Sequence, residues 1–84
     1  MIYEIIIKPD AQKDLNKLPN KELERVVLRL EQLGNNPRPV GVQKLSDTDG
    51  YRIRSGKYRI LYIIADDIQK IYIYRIKHRK DVYK

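Results

Sequence analysis

The 84-residue chain contains no cysteine, no tryptophan and no phenylalanine, and it has one methionine and one histidine. Without cysteine there is no disulfide framework, no thiolate metal site and no thiol nucleophile. That absence agrees with a reducing compartment. No segment approaches ~18 consecutive apolar residues, so no membrane span is expected. The first residues, Met1-Ile2-Tyr3-Glu4, lack the basic start and apolar stretch of a signal peptide. A cytoplasmic location is the expectation. A lone histidine and scattered carboxylates make no metal cluster, and Asp66-Asp67 reads as a solvated turn. No phosphate-cradling glycine loop, Ser-His-Asp spacing or kinase signature is present, and no repeat or low-complexity segment. Neither a cofactor nor a metal is called for. The length suits one domain, residues 1–84, with a core only just large enough to sustain itself.

What the chain has instead is positive charge, and it is unevenly placed. The formal net charge is +7. Residues 1–50 hold eight Lys and Arg against eight Asp and Glu, whereas residues 51–84 hold ten against three. The whole excess therefore sits in the second part. Solubility alone does not require such segregation; a cationic face for phosphate backbones or an acidic protein partner does.

Most of that charge is organised by residues 50–62. Period two makes Gly50-Tyr51-Arg52-Ile53-Arg54-Ser55 a strand, with Tyr51, Ile53 and Ser55 on one side and Arg52 and Arg54 on the other. Ser55-Gly56-Lys57 supplies a turn in which Gly56 takes positive φ. Residues 58–64 form a nearly unbroken apolar run, as in a central strand, with Arg59 at its start. Three arginines thus gather near one end of a sheet.

Elsewhere, Ile2 to Lys8 is β-branched enough for a strand. Asp10 is a helix N-cap candidate, and Ala11, Leu15 and Leu18 give a short amphipathic helix that Pro19 breaks. Asn20 is the expected cap of a second helix, with the apolar stripe Leu23, Val26, Val27, Leu30 and Leu33 and Gly34 at its end. Asn35-Asn36-Pro37-Arg38-Pro39 opens a long irregular connection in which only Val42 to Leu45 can pair briefly. Ser46 to Gly50 is a turn cluster. Asp66-Asp67 leads to a strand over Lys70–Lys77, and the tail from His78 forms a helical turn or an extended end. The predicted fold is α+β with the order β-α-α-β-β-β. A four-stranded sheet carries an αα-hairpin on one face and leaves its arginines open on the other.

Arginine grips phosphate with a bidentate fork and stabilises charge building on a pentacovalent phosphorane. It stays protonated, so proton transfer falls to Tyr83, His78 or the substrate. Plainer readings stand beside this one. Tyr3, Tyr62 and Tyr72 read as strand formers whose hydroxyls reach water. Arg52 and Arg54 are also ordinary solvent-face residues, and His78 an ordinary surface histidine. Tyr83, near the terminus, has the weakest structural excuse.

Several pieces, in order, carry a resemblance over nearly the whole chain. They are Lys17-Leu18-Pro19, Asn36-Pro37, Lys44-Leu45, Tyr51-Arg52-Ile53-Arg54, Gly56-Lys57-Tyr58-Arg59-Ile60-Leu61-Tyr62 and His78-Arg79-Lys80-Asp81-Val82-Tyr83. Together they resemble the RelE/ParE toxin superfamily, and within it the RelE-like ribosome-dependent mRNA endonucleases. The resemblance implies the toxin of a type II toxin–antitoxin system, cutting mRNA in the ribosomal A site. The 2′-hydroxyl attacks the adjacent phosphate, leaving a 2′,3′-cyclic phosphate and a 5′-hydroxyl. It implies that Arg59 holds the scissile phosphate, Arg79 serves the leaving 5′-oxygen, and Arg52 and Arg54 stabilise the transition state. Tyr83 orients the substrate or accepts its proton. Lys44, Lys57, Lys77 and Lys80 would contact RNA. The best-known members carry lysines where this chain has Arg52 and Arg54, which makes His78 a further candidate base. The implied partners are the ribosome, mRNA and a cognate antitoxin with an acidic or amphipathic segment. Two other readings follow from the same residues: a ParE-like toxin that poisons gyrase without nuclease activity, and a non-catalytic module binding RNA or a partner.

Overall fold

The computed structural model describes residues 2–46 and 49–82. Its strands are β1 (Glu4–Ile7), β2 (Gln43–Lys44), β3 (Gly50–Ser55), β4 (Tyr58–Ala65) and β5 (Lys70–His78). The helices are α1 (Pro9–Asn16), α2 (Asn20–Asn35) and α3 (Arg79–Val82). The sheet has the order β1-β5-β4-β3-β2, with β1 parallel to β5 and every other pair antiparallel. The α+β class and the element order agree with the sequence reading. The sheet has five strands rather than four, because Gln43 and Lys44 pair with Arg52 and Tyr51.

Helix starts differ from expectation. α1 opens on Pro9, whose fixed φ suits a first helical position, with Lys8 rather than Asp10 at the N-cap. α2 opens on Asn20, with Pro19 in the capping position and no side-chain cap. α2 also runs one residue past Gly34, whose carbonyl accepts the N–H groups of both Ile2 and Tyr3. That contact draws the start of the chain against the end of α2.

The core lies between the helices and one sheet face. Ala11 and Leu15 of α1 meet Val26, Leu30 and Leu33 of α2 over Ile53, Ile60, Tyr62, Ile71, Ile73 and Ile76. Val27, placed in the stripe by sequence, is 41% exposed.

A bulge decides which β5 residues reach that core. Tyr62 pairs with Ile73, but Leu61 pairs with Arg75, leaving Tyr74 as the extra residue. The buried positions accordingly step from Ile71 and Ile73 to Ile76. Uninterrupted alternation would have buried Arg75 and turned Ile76 outward. After the bulge Lys77 faces Arg59 across the ladder.

The part of β5 that β1 leaves open is covered. Beyond the end of β1, α1 lies along β5: the Lys8 N–H donates to the Ile73 carbonyl, and the Ile76 N–H donates to Asp14 Oδ2 at 2.8 Å. Asp14 also receives Arg75 Nε at 2.8 Å and its Nη2 at 3.3 Å. Burial pushes the Asp14 carboxyl up, but the Arg75 and Ile76 hydrogen bonds outweigh it and leave the group below the ordinary carboxylate range.

The long connection after α2 is fixed by side chains. Buried Tyr62 donates its hydroxyl to the Pro37 carbonyl at 2.7 Å, and burial pushes that hydroxyl's pKa well above normal. Arg38 forks onto Asp66 at 2.9 and 3.2 Å and lies 5.3 Å from the Tyr51 ring centroid. Tyr51 in turn stacks on Tyr62. Tyr3 donates its hydroxyl to Asp66. The water-facing hydroxyl expected for Tyr62 is thus corrected, while Asp66 stays solvated, half-exposed, as it anchors Arg38 and Tyr3. Each group serves the fold, because the loop brings a partner within reach.

Candidate anion-binding site

The site begins with the two-residue turn Gly56-Lys57, where Gly56 has φ +59°. It sets the β3–β4 register so that Arg54 lies opposite Arg59, and Ile53 opposite Ile60. Since Ile53 and Ile60 are buried in the core, period two sends Arg52, Arg54 and Arg59 to the other face. Lys77 joins them through its pairing with Arg59. The strand reading therefore holds in register as well as in order.

These side chains wall an open cavity of about 350 Å³, lined by Arg29, Gly41, Gln43, Arg52, Arg54 and Arg59. Among the described lining residues, four of six are arginines and none is acidic. Arg59 is the most deeply set, at 8% exposure, and its guanidinium donates one hydrogen bond, to the carbonyl of Tyr58 at 3.2 Å. A buried guanidinium without a carboxylate is costly, since unpaired charge inside a protein loses its hydration. An anion entering the cavity would supply the missing countercharge. Arg52 hydrogen-bonds Gln43 Oε1, an acceptor that orients the fork. Arg54 is exposed. Gly41 contributes backbone at φ +92°, a conformation that side-chain-bearing residues rarely take.

Not all of the remaining sequence candidates reach this centre. Arg79 starts α3, and its N–H donates to the Lys57 carbonyl at 2.8 Å, so the tail is tied to the hairpin turn. Lys57 is exposed at that turn and Lys80 on the short helix. Lys44 pairs with Tyr51 and stands 5.2 Å from that ring's centroid, on the helix-bearing side, so it is not brought to the cavity. His78 is not brought to the cavity. It pairs with Tyr58 on the helix-bearing side, meets that ring edge-on at 5.4 Å, and accepts the Lys80 N–H at Nδ1. The Nδ1 acceptor places the proton of the neutral ring on Nε2. Tyr83 lies outside the described residues.

Sequence reasoning missed Arg29. It lies three residues after Val26 and four before Leu33, on the border of the α2 stripe, where a guanidinium can reach around the sheet. β2 covers β3 only at Tyr51 and Arg52, and Arg29 Nε donates to the Arg54 carbonyl beyond that cover, at 3.2 Å. The signal was present: a cation at core spacing. Among the described residues, no group of three or more His, Cys, Asp or Glu side chains could hold a metal ion, and no helix is long and apolar enough to cross a membrane.

Comparison with known proteins agrees with the fold. Toxin RelG of Mycobacterium tuberculosis is 35% identical over 86 residues, covering all of this chain and 99% of RelG. The putative toxin RelE1 of Methanocaldococcus jannaschii is 33% identical over 88 residues, covering all of this chain and 98% of that protein. Among solved structures, the archaeal RelE–RelB complex from Pyrococcus horikoshii superposes with a TM-score of 0.86 at 31% identity. That match covers 96% of this chain and 99% of the other. The family model for the ParE toxin of type II toxin–antitoxin systems matches residues 5–83. With that match over nearly its whole length, the chain belongs to the RelE/ParE family and is the toxin of a type II toxin–antitoxin system.

Proposed function

We propose that the protein is a ribosome-dependent endoribonuclease that cleaves mRNA in the A site by attack of the ribose 2′-hydroxyl on the adjacent phosphate. The observation that carries this reading is the buried, carboxylate-free Arg59 at the centre of an arginine-walled cavity. In the reaction, Arg59 holds the scissile phosphate, and Arg52 and Arg54 take up the charge that grows on its oxygens. The 2′-oxygen forms a bond to phosphorus as the bond to the 5′-oxygen breaks. The products are a 2′,3′-cyclic phosphate and a 5′-hydroxyl. Arg79, tethered to the hairpin turn, serves the leaving oxygen, and Lys57, Lys77 and Lys80 hold the flanking RNA. With His78 on the other side of the sheet, proton acceptance falls to Tyr83. The reaction places the protein where ribosomes are, in the cytoplasm. A cognate antitoxin neutralises it, as the RelB chains in the complexes of its structural relatives suggest.

The test is cleavage of mRNA on programmed 70S ribosomes by wild type, Arg59→Ala and Tyr83→Phe, beside naked mRNA. A-site cuts by wild type alone, absent from naked mRNA, are expected. No cuts in any lane would overturn the reading. The ParE description of the family model favours a second reading, a toxin that poisons gyrase. DNA breaks in cells with intact mRNA would select it.

A further inference from the structure

The α2 helix carries two arginines in successive turns, and the structure treats them differently. Arg25 has Glu22 three residues before it, at 3.8 Å. Arg29 has Arg25, Val26, Gln32 and Leu33 at the positions within reach along the helix, and no acid among them. Its Nη1 donates to Gln32 Oε1 at 2.9 Å and its Nε to the Arg54 carbonyl at 3.2 Å. Both partners are neutral. These bonds fix the plane of the guanidinium and leave its other N–H donors for a ligand in the cavity it lines. A clamp between helix and strand needs only a neutral donor. Placing a fourth full charge beside Arg52, Arg54 and Arg59 works against folding and in favour of an anion.

We propose that Arg29 is an RNA-phosphate ligand of the cavity, a cation supplied from α2 across the open edge of β3. The assignment rests on the endoribonuclease reading only in naming RNA as the anion. Arg29 grips a phosphate together with the strand arginines, and its bond to the Arg54 carbonyl holds that arginine's backbone in place while it does so.

The experiment titrates a short 2′-O-methyl RNA, which has no free 2′-hydroxyl to attack, against wild type, Arg29→Gln, Arg29→Lys and Lys21→Gln over a range of salt concentrations. Arg29→Gln should bind about tenfold more weakly, with the slope of log affinity against log salt reduced by about 0.7, the loss of one phosphate contact on a single strand. Arg29→Lys should restore the slope, and Lys21→Gln, on the same helix, should match wild type. In wild-type protein the Arg29 Nε–Hε resonance should shift on RNA addition; this reading survives even if Arg29→Gln fails to fold. Wild-type affinity and slope in Arg29→Gln, an Arg29 resonance that stays still while that of Arg59 moves, or no RNA binding by wild type would each overturn the proposal. Wild type that binds this RNA through Arg29 yet cuts nothing on ribosomes would sink the nuclease reading and leave Arg29 as an RNA ligand.

Discussion

Arg59→Met separates the site from the scaffold. Arg59 is 8% exposed, its guanidinium donates to a backbone carbonyl, and the residue opposite it is another arginine. Two unit charges about 6 Å apart repel by ~3 kcal/mol at an effective dielectric of 20 and by under ~1 kcal/mol in water. Arg54 is exposed, so the lower half of that range applies to the pair. Relief of this repulsion and of the buried charge should make Arg59→Met more stable than wild type by about 1–2 kcal/mol, since a well-packed apolar side chain often replaces a buried charge at no loss. For a domain of this size that is a rise in Tm of about 4–8 °C per kcal/mol. Methionine fills the space of the arginine stem and adapts to an irregular site.

The same substitution should lower ribosomal mRNA cleavage by about 10²- to 10³-fold, the usual effect of removing one preorganised donor from developing negative charge. The assays are thermal unfolding by circular dichroism in low phosphate and single-turnover cleavage on programmed ribosomes. Gain of stability with loss of cleavage is the signature of a residue retained for function at the expense of the fold. If Arg59→Met lowers Tm by more than a few degrees, the guanidinium is a structural element, and the electrostatic reasoning about the cavity fails with it.

Other substitutions test the supports of the site. Tyr62→Phe removes the donor to the buried Pro37 carbonyl and should cost about 1–3 kcal/mol, read as a lower urea midpoint with an unchanged m-value. Gly56→Ala should cost about 1 kcal/mol in the same assay, because φ +59° is unfavourable for a residue with a Cβ. Asp14 has a folded pKa below its ordinary value of 3.8, so its contribution is complete above that value and is lost as pH falls through the lower, folded one. Wild-type Tm should therefore hold steady down to about pH 5 and fall below it, with Asp14→Asn showing a shallower fall; equal slopes in the two proteins would refute this role for Asp14.

The sequence exposed the strands that carry the arginines because their evidence is local. Alternation fixes the faces of Arg52 and Arg54, and Gly56 marks the turn that sets Arg59 opposite Arg54. Other features depended on contacts between distant residues. Tyr62 looked like a solvent-reaching group until the connection over residues 36–42 brought Pro37 to it, and the same connection brings Arg38 to the exposed Asp66. The bulge at Tyr74 had a trace in the spacing of Ile71, Ile73 and Ile76, where a three-residue step interrupts a two-residue one. Arg29 had a similar trace on α2. β2 could be foreseen as a brief pairing, but its membership of the sheet depends on where the proline connection delivers Gln43.

These distant contacts have a common consequence for the cavity. Its cations come from β3, β4 and α2, and its backbone wall, Gly41, comes from the irregular connection. Assembled with no carboxylate among the described lining residues, they repel one another, so each element must be held from outside the cavity. Tyr62 and Arg38 hold the connection, Ile53 and Ile60 root the two strands in the core, and Val26, Leu30 and Leu33 anchor α2 beside Arg29. None of these anchors is itself cationic except Arg38, and its charge is met by Asp66. A carboxylate thus meets the cation that supports the loop, and none stands among the described residues that line the cavity. That contrast is the expected arrangement for a preorganised anion site: the cost of gathering charge is met during folding, and little reorganisation remains when phosphate arrives.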